Sequence, residues 1–276
     1  MASKVRLGVS DAMYLRPLLF GLETADSPFE LSFDIPAVNS LHLNNRTNDL
    51  RCAFLSPIDY ARYGGSYRLV PQICVSSSRA TGTIILTVKH GVRNIRKVAV
   101  DIRVSSEIVL AKIILLERFR NLSEDRAEIE FVPMMPSLEP MLQKADAALI
   151  VNPSPAKNPR SDHFTLDLVE EWSDMTGSPY VHGFWVAREE DIGVDHIKAL
   201  TSAKNLGVAQ IPAMARDPAL QANVSEQELE TYFESFSYDF GQSEVDSVTE
   251  FVTFAYYHGA LVDVPEITFF DFATSS

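Results

Sequence analysis

Five short polar stretches carry the side chains best suited to chemistry. They are Ser10 with Asp11, Ser56, Ser76 to Arg79, Arg103 to Ser106, and Asn152 with Ser154. Each follows an apolar, strand-like run, and several open a helical one. Serine hydroxyls and free backbone N–H groups at such turns suit a carboxylate or another anion. Any single serine here is explained as a helix N-cap, but five sets after five strands point to one shared cleft. Arginine at that cleft would add a bidentate clamp, and Arg16, Arg79 and Arg103 are the candidates. His182, near Trp185, either faces the cleft or packs in the core. The six histidines are scattered, and none stands at metal-ligand spacing from another. There is no P-loop, GxGxxG, HExxH or GxSxG. Cys52 and Cys74 lie in apolar runs without a CxxC, which reads as two buried, reduced thiols.

The elements that position these loops alternate between β and α. Strands are expected at 5–9, 29–33, 52–55, 67–75, 82–88, 97–101, 128–132, 147–151 and 180–187. Helices are expected at 17–23, 107–118, 166–176, 191–206, 225–236 and 243–258. Ser56 caps a helix whose first position is Pro57, Ser225 and Glu228 have capping-box spacing, and Gly177 ends the 166–176 helix. Strands separated by helices predict an α/β fold with parallel-rich sheets, in which ligands sit at the carboxyl ends of the strands. Residues 152–163, with Pro153, Pro155 and Pro159, read as an exposed linker or a lid.

Composition bounds the function. The 276 residues are 46% hydrophobic, enough for a sizeable core and too many for a disordered chain. A net charge of −13 with no basic block argues against nucleic acid and against anionic membrane. The opening MASKVRLGVSDAMYL has no secretory h-region, and no run is long enough to span a bilayer. The expectation is a cytoplasmic protein whose partner is a small anionic metabolite.

Several stretches then carry a family resemblance. They are VRLGVSDAMYLRPLLFGLE, LRCAFLSPIDYARYGGSYRLVPQICVSS, KVAVD with its apolar helix, DLVEEWSDMTGSPYVHGFWVAR and SYDFGQSEVDSVTEFVTFAYYHGAL. In this order the chain resembles the chorismate dehydratase family of the futalosine route to menaquinone. The resemblance implies a two-lobed fold like that of type II periplasmic binding proteins. One lobe would comprise 1–88 and 187–276, the other 89–186, with crossings near 86–90 and 185–188. It also implies a lyase that removes water from chorismate to give 3-[(1-carboxyvinyl)oxy]benzoate, with neither metal nor organic cofactor. The family's first loop reads Ser-Tyr-Leu-Asn before two variable residues and Pro-Leu. Counting back from Pro17 puts Tyr14 at the asparagine position, or Met13 with a one-residue shift. The family's serine in the loop after the fourth strand-like run falls on Ser77, or Ser78 with a shift, and Ser56 in LSPIDY matches well. The family stretch Asp-Thr-Ser-Ser-Arg-Thr-Ser falls on Asp101 to Glu107, with the aspartate kept.

The resemblance therefore implies Ser77 and Tyr14 as catalytic residues. Ser10, Asp11, Ser56, Ser78, Arg79, Ser105, Ser106 and Asn152 are expected to hold the substrate. Two alternatives remain at this point: a non-catalytic binder of a small carboxylate with the same fold, and the naphthoate synthase of the same pathway, whose Ser-Pro-Cys-Pro-Asn-Asp opening is not found.

Overall fold

The computed structural model describes residues 4–64, 66–119, 129–151, 163–218, 220–221 and 224–271. Among the described residues, ten strands form two five-stranded sheets of matching design. The first sheet is built from β1 (Val5–Val9), β2 (Phe29–Phe33), β3 (Leu50–Leu55), β4 (Arg68–Ser77) and β10 (Tyr180–Ala187), in the order β2-β1-β3-β10-β4. The second holds β5 (Ile84–Val88), β6 (Lys97–Asp101), β7 (Glu130–Met134), β8 (Ala147–Val151) and β9 (Phe164–Asp167), in the order β7-β6-β8-β5-β9.

In each sheet three neighbouring strands run parallel and the fourth is reversed. β1 is parallel to β2 and β3, while β10 is antiparallel to β3 and β4. Likewise β6 is parallel to β7 and β8, while β5 is antiparallel to β8 and β9. Every residue of β5 and of β10 is buried, as continuous apolar runs such as IILTV demand. The α/β class is as expected, with mixed sheets in place of largely parallel ones.

The sheets are coupled by exchange of these reversed strands. β5 follows the strands of the first sheet in sequence yet pairs in the second, and β10 returns to the first. The chain thus changes sheet over 78–83 and again over 168–179. Both positions precede the crossings expected near 86–90 and 185–188, because backbone pairing claims β5 for β8 and β10 for β3.

The helices cover the sheets. They are α1 (Arg16–Leu19), α2 (Pro36–Asn45), α3 (Pro57–Ala61), α4 (Ser106–Glu117), α5 (Leu138–Lys144), α6 (Leu168–Thr176), α7 (Val194–Ala209), α8 (Ile211–Ala215), α9 (Glu226–Glu234) and α10 (Gln242–Tyr257). α4, SEIVLAKIILLE, is apolar nearly all round, and such a helix must be buried. It lies between the sheets, against α3 and α10 on one side and α6 and β8 on the other. One core cluster accordingly runs from Leu50 and Tyr60 through Leu110 and Ile114 to Leu86 and Val98.

Local signals explain most element ends. Ser225 and Glu228 form the reciprocal capping box at α9. Gly177 ends α6 with a φ of 74°, where a side chain would be strained. Several segments differ from expectation: α2, α5 and α8 had no expected counterpart. Residues 164–167 form β9 ahead of α6, because they extend along β5 before Asp167 caps the helix. The helix expected at 17–23 lasts only from Arg16 to Leu19, and Phe20 leaves it with ψ 123°. The two cysteines are buried and free.

Candidate functional site

A cavity of about 210 Å³ opens where loops of both sheets meet. Its first wall comes from the end of β1 (Ser10, Asp11), the 3-10 turn Met13–Leu15 (Tyr14), the start of α3 (Ser56, Asp59) and β10 (His182). The opposite wall comes from the end of β6 (Asp101, Arg103), the entry to α4 (Ser105, Glu107) and the last residue of β8, Val151. A small metabolite fits this volume, with each wall supplied by a different sheet.

Hydrogen bonds hold the polar walls in place. The Ser56 side chain caps α3, accepting from the Asp59 backbone N–H at 3.2 Å and donating to Asp59 Oδ2 at 2.7 Å. Across the cleft, Ser105 Oγ donates to Asp59 Oδ1 at 3.0 Å, tying one wall to the other. Asp59 is 1% exposed and is bonded through both oxygens. Asp101, fully buried, accepts from Arg103 Nε at 2.9 Å and from its Nη2 at 2.5 Å. This aims the guanidinium along the cavity wall, with Nη1 making no hydrogen bond among the described residues. At the mouth, exposed Asp11 pairs with Arg16 at 3.0 Å.

His182 owes its position to a bulge. β10 pairs Val181 with Ser76 and Gly183 with Val75, so His182 is an extra residue in the ladder. Bulges of this kind redirect a side chain. The ring enters an aromatic box, with centroids 5.0 Å from Tyr14, 5.0 Å from Tyr180 and 5.4 Å from Phe236. Its Nε2 has no hydrogen-bond partner among the described residues. Burial in these apolar surroundings lowers its pKa to about 3, so the imidazole is neutral.

Two further groups titrate abnormally. Desolvation, aided by the negative charges of Asp59 and Asp101, raises the Glu107 carboxyl to about 7. Backbone N–H groups at Glu107 and Ser105 pull the other way, the former more than either charge pushes, but desolvation outweighs them. Burial and the nearby Glu107 raise the Tyr14 phenol well above its usual value, so it keeps its proton. A neutral imidazole, a protonated phenol and a carboxyl near neutrality make a cleft able to move one proton at physiological pH.

The structure brings Ser10, Asp11, Tyr14, Ser56 and Ser105 to this cavity, together with Arg103. Other expected site residues lie elsewhere. Ser77 is buried outside the cavity lining, its hydroxyl 2.6 Å from the Ser235 carbonyl oxygen, to which it donates. Ser78 and Arg79 are exposed, and Arg79 lines a separate hollow with Glu228 and Ser235. Ser106 is buried in the first turn of α4 and is not part of the lining. Asn152 lies outside the described residues.

The acids Asp59 and Glu107 were not singled out from sequence. Both sit within four residues of strand-end serines, in the first turns of α3 and α4. The strand-end rule, extended by one helical turn, finds them.

A family model described as menaquinone biosynthesis matches residues 5–257. Among solved structures, protein AF1704 from Archaeoglobus fulgidus superposes with a TM-score of 0.68 at 15% identity, covering 94% of this chain and 99% of that one. The periplasmic aliphatic sulphonate-binding protein SsuA from Escherichia coli gives a TM-score of 0.60 at 13% identity, covering 97% and 96%. The Candida albicans CA3427 gene product, described as having the generic periplasmic binding protein fold, gives 0.62 at 11% identity, covering 99% of both chains. These likenesses establish a periplasmic-binding-protein fold.

Proposed function

The chain belongs to the menaquinone biosynthesis family, and from that membership we propose that it is a cytoplasmic carbon–oxygen lyase that dehydrates chorismate to 3-[(1-carboxyvinyl)oxy]benzoate. The match over residues 5–257 carries this reading. The cavity supplies groups that suit the substrate. Arg103 Nη1 offers charged donors to a carboxylate, and Ser10 and Tyr14 stand opposite with hydroxyls. The two sheets with their helices act as lobes that close over the ligand.

The reaction needs little beyond placement and one mobile proton. The ring C–O bond breaks and its hydroxyl leaves as water after gaining a proton. The C–H bond on the adjacent, ether-bearing carbon breaks, and its electrons complete the aromatic ring. Aromatisation supplies much of the driving force. The substrate-binding role passes to Ser10, Asp11, Ser56, Ser105 and Arg103, which share the cavity, and Tyr14 stands at its inner wall.

The test incubates the purified protein with chorismate and follows the product by chromatography with mass detection. Product above the no-enzyme control supports the reading. Its absence beside an active dehydratase overturns it. A second reading, a non-catalytic binder of small carboxylates, would then stand. It is favoured by Tyr14, a bulky phenol where the family carries an amide. Thermal shift with small carboxylates would test it.

A further inference from the structure

The acids around the cavity are not equivalent. Asp11 has Arg16, Asp101 has Arg103, and Asp59 has Arg62 at 3.4 Å with the hydroxyls of Ser56 and Ser105. Glu107 has no side-chain donor among the described residues. It stands in the first turn of α4, half-buried in the cavity wall.

Among the described residues, the titratable groups around it offer it no positive charge of its own. Asp59 from α3 and Asp101 from β6 are negative, while Tyr14 and Tyr180 are phenols that keep their protons. His182, on the same wall as Tyr14, is neutral. Arg103 is the cation lining the cavity among the described residues, and it is bonded to Asp101 through two side-chain nitrogens. A ligand with two carboxylates therefore brings negative charge to the one carboxyl without a counter-charge. Coulomb repulsion in a partly dry site disfavours a charged Glu107 beside a bound dianion and raises its proton affinity further.

Resting on the dehydratase reading, we propose that Glu107 takes up a proton as the dianionic substrate binds and delivers that proton to the departing ring hydroxyl. The Glu107 O–H bond breaks as the ring C–O bond breaks, and water leaves. The carboxylate so formed accepts the proton of the adjacent ring carbon, whose C–H electrons form the new ring double bond. In chorismate the two ring oxygens are trans, so this hydrogen and the hydroxyl share one face, within reach of one carboxyl. Glu107 ends the turnover protonated, as it began, and loses that proton when the dianionic product leaves. With a carboxyl near pH 7 in the free protein, this exchange costs little at neutrality.

The experiment uses the product, 3-[(1-carboxyvinyl)oxy]benzoate, as a dianion that does not react. Its binding at pH 7.5 is measured by calorimetry in phosphate and in Tris, which differ in ionisation enthalpy. The wild-type protein is expected to take up roughly half a proton or more per ligand. Glu107→Gln, which mimics the protonated acid, is expected to bind product at least as tightly, to take up no proton, and to lose turnover of chorismate by about 100-fold or more. A decline of kcat/KM above pH 7 is expected of the wild type and is expected to be lost in Glu107→Gln. Glu107→Asp restores proton uptake and part of the rate. Buffer-independent heats for the wild type, or Glu107→Gln turnover within threefold of it, overturn the role of Glu107 while leaving the dehydratase reading intact. Failure of the wild type itself to consume chorismate overturns that reading and this proposal with it.

Discussion

Gly207→Ala tests how the scaffold holds the cleft. Gly207 lies in α7 where that helix crosses α1, and an added Cβ would stand 1.8 Å from the Pro17 carbonyl oxygen and 2.7 Å from its carbon. Ordinary contact begins at 3.4 Å, so α1 and α7 must part by about 1.5 Å. Two effects oppose each other. Alanine in place of a mid-helix glycine gains about 1 kcal/mol of helix propensity. Overpacking costs about 1–3 kcal/mol, and the upper end applies because the neighbour is proline backbone, which cannot rotate aside. The clash wins by about 2 kcal/mol. At about 2–4 °C per kcal/mol for a chain of this size, the melting temperature falls by about 4–8 °C. α1 begins two residues after Tyr14, so ligand affinity in the cleft falls with it. Thermal melts read the first effect and ligand titration the second. Val208→Ala, at the exposed neighbouring position, is the control and stays within about 0.5 kcal/mol of the parent. A Gly207→Ala protein as stable as the parent would refute the close approach and this account of how α1 places Tyr14.

Two further predictions concern the site itself. Ser77→Ala separates structure from catalysis. Loss of the bond to Ser235 lowers stability by about 1 kcal/mol. Turnover stays within threefold, and a tenfold fall in kcat at unchanged melting temperature would return Ser77 to the catalytic machinery. His182 governs acid sensitivity. Its folded pKa of about 3 lies below the unfolded value of about 6.5, so the unfolded chain binds the proton more readily. The contribution of the neutral ring is complete above pH 6.5 and is lost as pH falls toward 3. His182→Phe removes that term, so its melting temperature falls less than the parent's between pH 6.5 and 4.5. Equal slopes would refute it.

Much of the frame was legible in short-range pattern. Ser56-Pro57, Ser225 with Glu228, and Gly177 mark helix ends through hydrogen bonds within a turn, and local chemistry survives any tertiary arrangement. β10 and α4 are readable because continuous apolar runs have few places to go except the interior. β9 was hidden because its four residues count as strand only through pairing with β5. Sheet membership was equally illegible. Nothing local to IILTV or YVHGFWVA says which sheet will supply its neighbours, and each run joined the sheet on the far side of the crossing.

The cleft divides the same way. Serines and arginines at strand ends announce an anion-directed site, since their donors are intrinsic to residue type and turn position. Which of them face the ligand depended on the approach of two sheets whose cavity loops lie far apart in the chain. That approach placed Ser105 on Asp59, turned Ser77 toward Ser235, and let one bulge swing His182 into the aromatic box. It also determined the charge state of Glu107. The sequence by itself determined that this protein carries a carboxylate there, at the start of an apolar helix. Only the tertiary structure, by burying that carboxyl beside Asp59 and Asp101 without a cation of its own, decided that it would titrate near neutrality.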